Sequence, residues 1–209
     1  MNESDVRDAT RFALMGRGYW PQHFTDGIKC SRCHQIIVPA SKGKPDLLLV
    51  HPAGIGSVVE VKDVKVPNKE LGLAFTEIST EQRQYLDDWD IAASGVGPGA
   101  FISIGLILPS GSRTFLSDIW VVPWKVWKSL EQSWTACGKT SVGIDPTLYK
   151  RANKVPLEFY LRDFQFDIYK LKRIKESDGK PGWALDDAHP LAVGHLLQDR
   201  HRRQNDNDV

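Results

Sequence analysis

The sequence has few cysteines, no long apolar run and almost no net charge, and each shortage excludes a class of protein. Only 3 of the 209 residues are cysteine, too few for the disulfide framework of a small secreted domain. The longest apolar stretch, Ala100 to Leu108, is less than half a membrane-spanning helix. The 27 basic residues are balanced by 26 acidic ones, for a net charge of +1, which excludes a histone-like electrostatic binder.

What remains is an ordinary globular composition. With 41% hydrophobic residues, a chain of this length buries its own core without disulfides or a structural metal. Residues 1–5 lack the basic start and apolar run of a secretory signal. We therefore expect a cytoplasmic protein with no membrane segment.

Hydrophobic periodicity and turn residues predict alternating helices and strands, hence an α/β fold with a mixed sheet. A Ser-x-x-Gln capping box at Ser79 and Gln82 predicts where the second helix begins. The tryptophans at helical spacing after Pro123 indicate core packing or a subunit interface more than base stacking. The expected elements are a helix at 3–18, a hairpin of strands 46–50 and 58–64, a helix at 79–95, strands at 35–39, 100–108, 118–122 and 158–166, and a helix at 124–134.

The predicted hairpin carries the residues that indicate chemistry. Asp46 opens its first strand, and Glu60 and Lys62 lie in the second. Because strand side chains alternate between faces, Glu60 and Lys62 share one face, and pairing of the strands can bring Asp46 beside them. Charges are rarely buried unless paired or bound to a metal. Two carboxylates give the oxygen ligands that Mg²⁺ prefers, and a neighbouring lysine can act on a water or a phosphate.

Gly-x-Pro-Asp ending at Asp46, followed by Glu60-Val61-Lys62, resembles the PD-(D/E)XK nuclease superfamily. The resemblance implies an αβββαβ restriction-endonuclease-like core with a mixed central sheet, which hydrolyses DNA phosphodiesters with Mg²⁺, for which Mn²⁺ substitutes. It implies Asp46 and Glu60 as metal ligands and Lys62 as the catalytic lysine. Glu3, in the first helix, would complete the metal site, and Gln82 would join the catalytic residues. This combination is most similar to the Holliday-junction-resolvase and VRR-nuclease branches, which act in recombination and repair in bacteria and phages.

Each of these assignments has a structural alternative. A second acid-x-Lys triplet, Asp63-Val64-Lys65, overlaps the first and points to the opposite face of the strand; we prefer Glu60 and Lys62 because strand-forming residues surround them. The hairpin could also be a surface feature with a plain Glu60–Lys62 salt bridge. Glu3 suits the first turn of any helix, and the capping box alone explains Gln82.

A basic, acid-free stretch precedes Asp46 and predicts contact with the DNA backbone. Its members are Lys29, Arg32, Lys42 and Lys44. Cys30 and Cys33 form half a zinc knuckle, but the chain has no second Cys-x-x-Cys to complete a four-ligand site. Zn²⁺ there is the weaker alternative to free thiols.

The prediction is thus a Mg²⁺-dependent, structure-selective endodeoxyribonuclease that binds DNA, as a twofold homodimer if it resolves junctions. The nuclease-like domain would span 1–135, with a C-terminal extension at 136–194 and a disordered tail at 195–209. The alternatives are an inactive nuclease-fold module that binds DNA or protein, and a zinc-stabilised interaction module.

Overall fold

The computed structural model describes residues 1–23, 28–29, 36–38, 44–52, 54–65, 72–94, 97–143, 166–175 and 181–192. Within these ranges the fold is mixed α/β, as expected from the sequence. The α-helices are α1 (Glu3–Met15), α2 (Thr80–Ala92) and α3 (Trp124–Ala136). The strands are β1 (Trp20–His23), β2 (Ile28–Lys29), β3 (Ile36–Val38), β4 (Leu47–His51), β5 (Ile55–Lys65), β6 (Gly72–Ala74), β7 (Ala100–Ser110), β8 (Arg113–Pro123), β9 (Ser141–Gly143), β10 (Lys172–Lys175) and β11 (Pro181–Ala184).

The central sheet has five strands in the order β1-β4-β5-β7-β8. The pairs β1/β4, β4/β5 and β7/β8 are antiparallel, whereas β5 and β7 are parallel. A parallel pair requires a crossover connection, and α2 lies in the segment that supplies it. The predicted hairpin of β4 and β5 and the predicted mixed sheet are therefore confirmed. The strands β2 and β3 pair with each other in a separate two-stranded sheet.

Two hydrophobic cores cover the two faces of the central sheet. One core contains Leu86 of α2 and the α3 tryptophans Trp124, Trp127 and Trp134, all at most 2% exposed. The other contains Val6 and Leu14 of α1, packed against β5, β7 and β8. The interpretation of the tryptophan stripe as core is confirmed, because the α3 rings lie between that helix and the sheet.

Helix α1 packs closely on β7. Asn2 caps the helix, with its side chain accepting a hydrogen bond from the Ser4 backbone. The Thr10 hydroxyl lies 2.7 Å from the Ser103 hydroxyl of β7, and both are buried. A Cβ at Gly105 would overlap the side chain of Val6. The glycine therefore allows the helix to approach the sheet, and this approach fixes where the amino-terminal end of α1 lies.

Helix α2 begins as the sequence predicts. The Ser79 hydroxyl accepts a hydrogen bond from the Gln82 backbone at 3.2 Å, and the Gln82 side-chain oxygen accepts one from the Ser79 backbone at 2.9 Å. Arg83 secures the same end of the helix by donating to the Ile78 carbonyl at 3.1 Å and to Glu131 of α3 at 2.7 Å. The entrance to α2 is thus held in one geometry.

The described parts of the C-terminal third pack on the domain formed by the earlier residues. Strand β9 pairs with β6, and the β10–β11 hairpin lies against α1. His189 is 3% exposed, and its Nε2 lies 2.7 Å from the carbonyl oxygen of Val121 in β8. Most of the strand expected at 158–166, and the whole tail at 195–209, lie outside the described residues.

Candidate active site

The candidate site lies where β5 runs past the end of β4. The β4–β5 ladder ends at the pair Leu47 and Val59, whereas the β5–β7 ladder continues to the pair Lys65 and Ile107. Asp46 directly precedes β4, and its Oδ2 accepts a hydrogen bond from the Val61 backbone N–H at 2.8 Å. This bond holds the aspartate against the edge of β5, beside the neighbouring Glu60.

Glu60 stands at the centre of the site. Its Oε1 lies 2.6 Å from the Nζ of Lys62 and accepts a hydrogen bond of 2.5 Å from the Nε2 of Gln82. The Glu60 side chain is 1% exposed and that of Lys62 is 12% exposed. The structure therefore brings Asp46, Glu60, Lys62 and Gln82 together, and two of them reach Glu60 from different elements.

Gln82 has both of the roles that the sequence offered as alternatives. Its side-chain oxygen completes the capping box with Ser79, and its side-chain nitrogen donates to Glu60. A primary amide has separate donor and acceptor ends, so one side chain can do both. Capping fixes the amide, and the fixed amide then holds the carboxylate.

The second oxygen of Glu60 has no such partner. Within the described part of the chain, its Oε2 is buried and accepts no hydrogen bond. Burial, followed by repulsion from Asp46, raises the pKa of Glu60 to about 8 in spite of the attraction of Lys62. The ionised carboxylate is therefore costly in the folded protein, and a proton or a cation would relieve that cost.

The neighbouring groups bind their protons more tightly as well. Burial lowers the pKa of Lys62, but attraction to Glu60, the hydrogen bond to it and attraction to Glu3 together outweigh burial and raise this pKa. The pKa of Glu3 is raised, mainly by burial and also by repulsion from Asp46 and Asp63. Carboxylates outnumber ammonium groups here, so additional positive charge would stabilise the site.

Glu3 lies within electrostatic reach of this cluster, because Lys62, Asp46 and Asp63 all influence its pKa. No three His, Cys, Asp or Glu side chains among the described residues form a group that could hold a metal ion. The two carboxylates of Asp46 and Glu60 fit a hard divalent cation in chemistry, since both are oxygen ligands and Glu60 has a free buried oxygen. Further ligands would have to come from water or substrate.

The second acid-x-Lys triplet, Asp63-Val64-Lys65, contains an ion pair between its first and last residues. Lys65 Nζ lies 3.1 Å from Asp63 Oδ2, with the lysine 47% and the aspartate 15% exposed. Strand alternation places this pair on the face opposite Glu60, as predicted. That face is the one that α1 covers, which is why Asp63 influences Glu3. Sequence reasoning missed this coupling because the position of α1 depends on long-range packing.

The predicted DNA contacts are only partly within the described residues. Lys44 is half-buried two residues before Asp46, and Lys29 lies in β2. Arg32 and Lys42 lie outside the described ranges, as do Cys30 and Cys33, the residues considered for Zn²⁺.

The chain stands apart in comparisons with known proteins. No family model matches it, and no curated protein or solved structure shows significant similarity to it. In the portion that the structure covers, no helix has both the length and the apolar character needed to cross a bilayer.

Proposed function

We propose that this protein is a Mg²⁺-dependent endodeoxyribonuclease of the PD-(D/E)XK kind. The observation that carries the proposal is the convergence of Asp46, Glu60 and Lys62 at the point where β5 passes the end of β4. Asp46 is remote in sequence from Glu60 and Lys62, and the hairpin register brings it to them. Two acids and a lysine, with one buried Glu60 oxygen that accepts no hydrogen bond among the described residues, form a suitable site for phosphodiester hydrolysis.

The order of elements supports the same proposal. Among the long helices and the strands of the central sheet, α1 comes first and is followed by the antiparallel strands β1, β4 and β5. Helix α2 comes next, and then β7, which is parallel to β5. This order agrees with the αβββαβ core that the sequence resemblance implies and so supports the proposal of that core. The remaining strand, β8, extends the sheet beyond that core.

Asp46 and Glu60 would hold the metal. When bound, Mg²⁺ would supply an activated water and stabilise negative charge on the phosphate and on the leaving oxygen. The hydrogen bond from the Val61 backbone orients Asp46, and the amide of Gln82 orients Glu60. Both carboxylates are therefore held in place before any ligand arrives, which lowers the cost of binding.

Lys62 would act on the water or on the phosphate. Its ammonium group lies 2.6 Å from Glu60 and is nearly buried, so it is held at the carboxylate that would bind the cation. An ammonium there can orient a water molecule or offset charge that develops on a phosphate oxygen. A protonated lysine cannot itself be a metal ligand, so its role is distinct from that of the carboxylates.

The substrate proposed is DNA, with selectivity for structure over sequence, in recombination or repair. A junction presents two symmetry-related strands, so symmetric cleavage would require a twofold homodimer. We place the protein in the cytoplasm of a bacterium or a phage-infected cell.

The test is a cleavage panel of duplex, single-stranded, flap and four-way-junction DNA with Mg²⁺, Mn²⁺ or EDTA. We expect cleavage with either metal and none with EDTA. Asp46→Asn and Lys62→Ala should each reduce turnover at least a hundredfold, as loss of metal or acid–base groups commonly does. Lys65→Ala is the matched control, since it removes a lysine of the same strand from the opposite face. Wild-type activity in the Lys62 variant, or loss only in the Lys65 variant, would refute the assignment.

A second candidate is a nuclease-fold protein that binds DNA without cutting it. The absence of a three-ligand metal group among the described residues favours it, as does the occupation of Glu60 Oε1 by Lys62 and Gln82. In that case DNA would bind with equal affinity with and without Mg²⁺, and no substrate of the panel would be cleaved.

A further inference from the structure

One arginine beside the candidate site lacks the partners that comparable arginines have. Arg7 is partly buried, and within the described part of the chain its Nε is buried without a hydrogen-bond acceptor. Arg17 and Arg83, which are also partly buried, donate to backbone carbonyls and carboxylates, and the exposed Arg173 donates to the Leu116 carbonyl. A buried donor without an acceptor costs free energy, so Arg7 is the exception that requires a reason.

The position of Arg7 relates it to the site. It lies four residues after Glu3, so both side chains are on one face of α1, and its charge influences the pKa of Glu3. The same stripe continues through Thr10 and Leu14, which are fully buried against the sheet. The face of α1 that packs on the sheet therefore has two parts. Thr10 and Leu14 are buried against the sheet, whereas the first turns carry the charged residues Glu3 and Arg7.

From this geometry we infer that Arg7 binds a phosphate of the nucleic-acid backbone next to the scissile phosphate, which would lie at the metal ion that Asp46 and Glu60 would hold. The inference rests on the proposed function, which it deepens by naming a substrate-binding residue. A guanidinium group presents two parallel N–H donors that match phosphate oxygens, whereas an ammonium is a point charge. Rotation of the guanidinium group toward a bound phosphate would give the buried Nε the acceptor that it lacks among the described residues.

The alternative is that Arg7 serves stability by attracting Glu3 across one helical turn. The two interpretations predict different effects of replacing Arg7 on the melting temperature. If Arg7 stabilises the fold, replacing it lowers the melting temperature. If it is kept for a ligand, replacement removes an unsatisfied donor, and the melting temperature stays the same or rises while binding weakens.

The test compares Arg7→Gln, Arg7→Lys and the matched control Arg11→Gln, which removes a charge from the exposed face of the same helix. Binding of a duplex and a four-way-junction oligonucleotide is measured between 50 and 200 mM KCl, with Ca²⁺ in place of Mg²⁺ to prevent cleavage. We expect Arg7→Gln to weaken binding about tenfold and to flatten the slope of log affinity against log salt by about one, the value for one phosphate contact. Arg7→Lys should keep the slope and lose about threefold in affinity, and Arg11→Gln should change binding less than twofold.

Unchanged affinity and slope in Arg7→Gln, with wild-type protein that binds and cleaves DNA, would overturn this inference alone. Wild-type protein that neither binds nor cleaves any DNA of the panel would overturn the proposed function, and this inference with it. If both Arg7 variants melt well below wild type, or fail to fold, Arg7 is structural and the inference is wrong.

Discussion

The buried carboxylate of Glu60 predicts a pH dependence of stability that needs no assumption about function. In the unfolded chain Glu60 has its ordinary pKa of 4.5, whereas burial raises its pKa in the folded protein to about 8. Below pH 4.5 both states hold the proton, and Glu60 adds no penalty. Between pH 4.5 and 8 the unfolded state loses the proton that the folded state keeps. Stability therefore falls with rising pH, by about 1.4 kcal/mol per pH unit.

Across this window the loss amounts to about 5 kcal/mol, a large part of the 5–15 kcal/mol that keeps a typical domain folded. Glu60→Gln keeps the shape and the acceptor for Lys62 and Gln82 but removes the ionisation. The variant should therefore become progressively more stable than wild type as the pH rises from 5 to 8. Urea unfolding of both proteins in EDTA, at half-unit pH steps, measures the difference.

The difference between the two proteins cancels the titrating groups that do not interact with Glu60, and leaves Glu60 with the groups coupled to it, Lys62, Asp46 and Glu3. A pH-independent difference for Glu60→Gln, or one that grows as the pH falls, would refute the argument that burial dominates at this carboxylate. Under the proposed function, addition of Mg²⁺ at pH 8 should also stabilise wild type but not the variant.

Three more predictions follow from packing and capping. Gly105→Ala should destabilise the protein by about 1–3 kcal/mol in urea unfolding, because the new Cβ would overlap Val6 and force α1 away from the sheet. Ser79→Ala should cost about 1 kcal/mol by loss of the helix cap and should also lower DNA cleavage, because the cap fixes Gln82; a change in stability alone would contradict the link to the site. Burial lowers the pKa of His189 to about 4 from 6.5, so stability should be lost as the pH falls from 6.5 to 4, by up to about 3 kcal/mol, and urea unfolding of His189→Gln should show no such loss.

The local parts of the fold could be predicted from the sequence, because their signals are local. The helix start at Ser79 follows from a four-residue motif, and the hairpin follows from two apolar strands around a turn that contains Pro52. The faces of β5 follow from strand alternation, which placed Glu60 and Lys62 together. Convergence with Asp46 needed only the pairing of two adjacent strands.

The missed features all depend on contacts between residues far apart in the chain. Nothing near Val6 in the sequence indicates that it packs on Gly105, and this contact sets how close Glu3 and Arg7 come to the strand that carries Lys62. Likewise, no local signal gives His189 its place under β8, because its acceptor, the carbonyl of Val121, is 68 residues away.

Burial of the Glu60 carboxylate destabilises the fold, which favours a functional role for this residue. Glu60 lies in β5 between Val59 and Val61, which belong to one hydrophobic core, and Val58 on the same strand belongs to the other. An apolar side chain at position 60 would bury without penalty, whereas the carboxylate has one oxygen with no hydrogen-bond partner among the described residues and is repelled by Asp46. A buried, poorly satisfied charge at a position that suits an apolar side chain is expected where the residue serves function and not stability. Because the Gln82 amide and the Lys62 ammonium both converge on the same carboxylate, the surrounding structure holds Glu60 in position, as the proposed metal site would require.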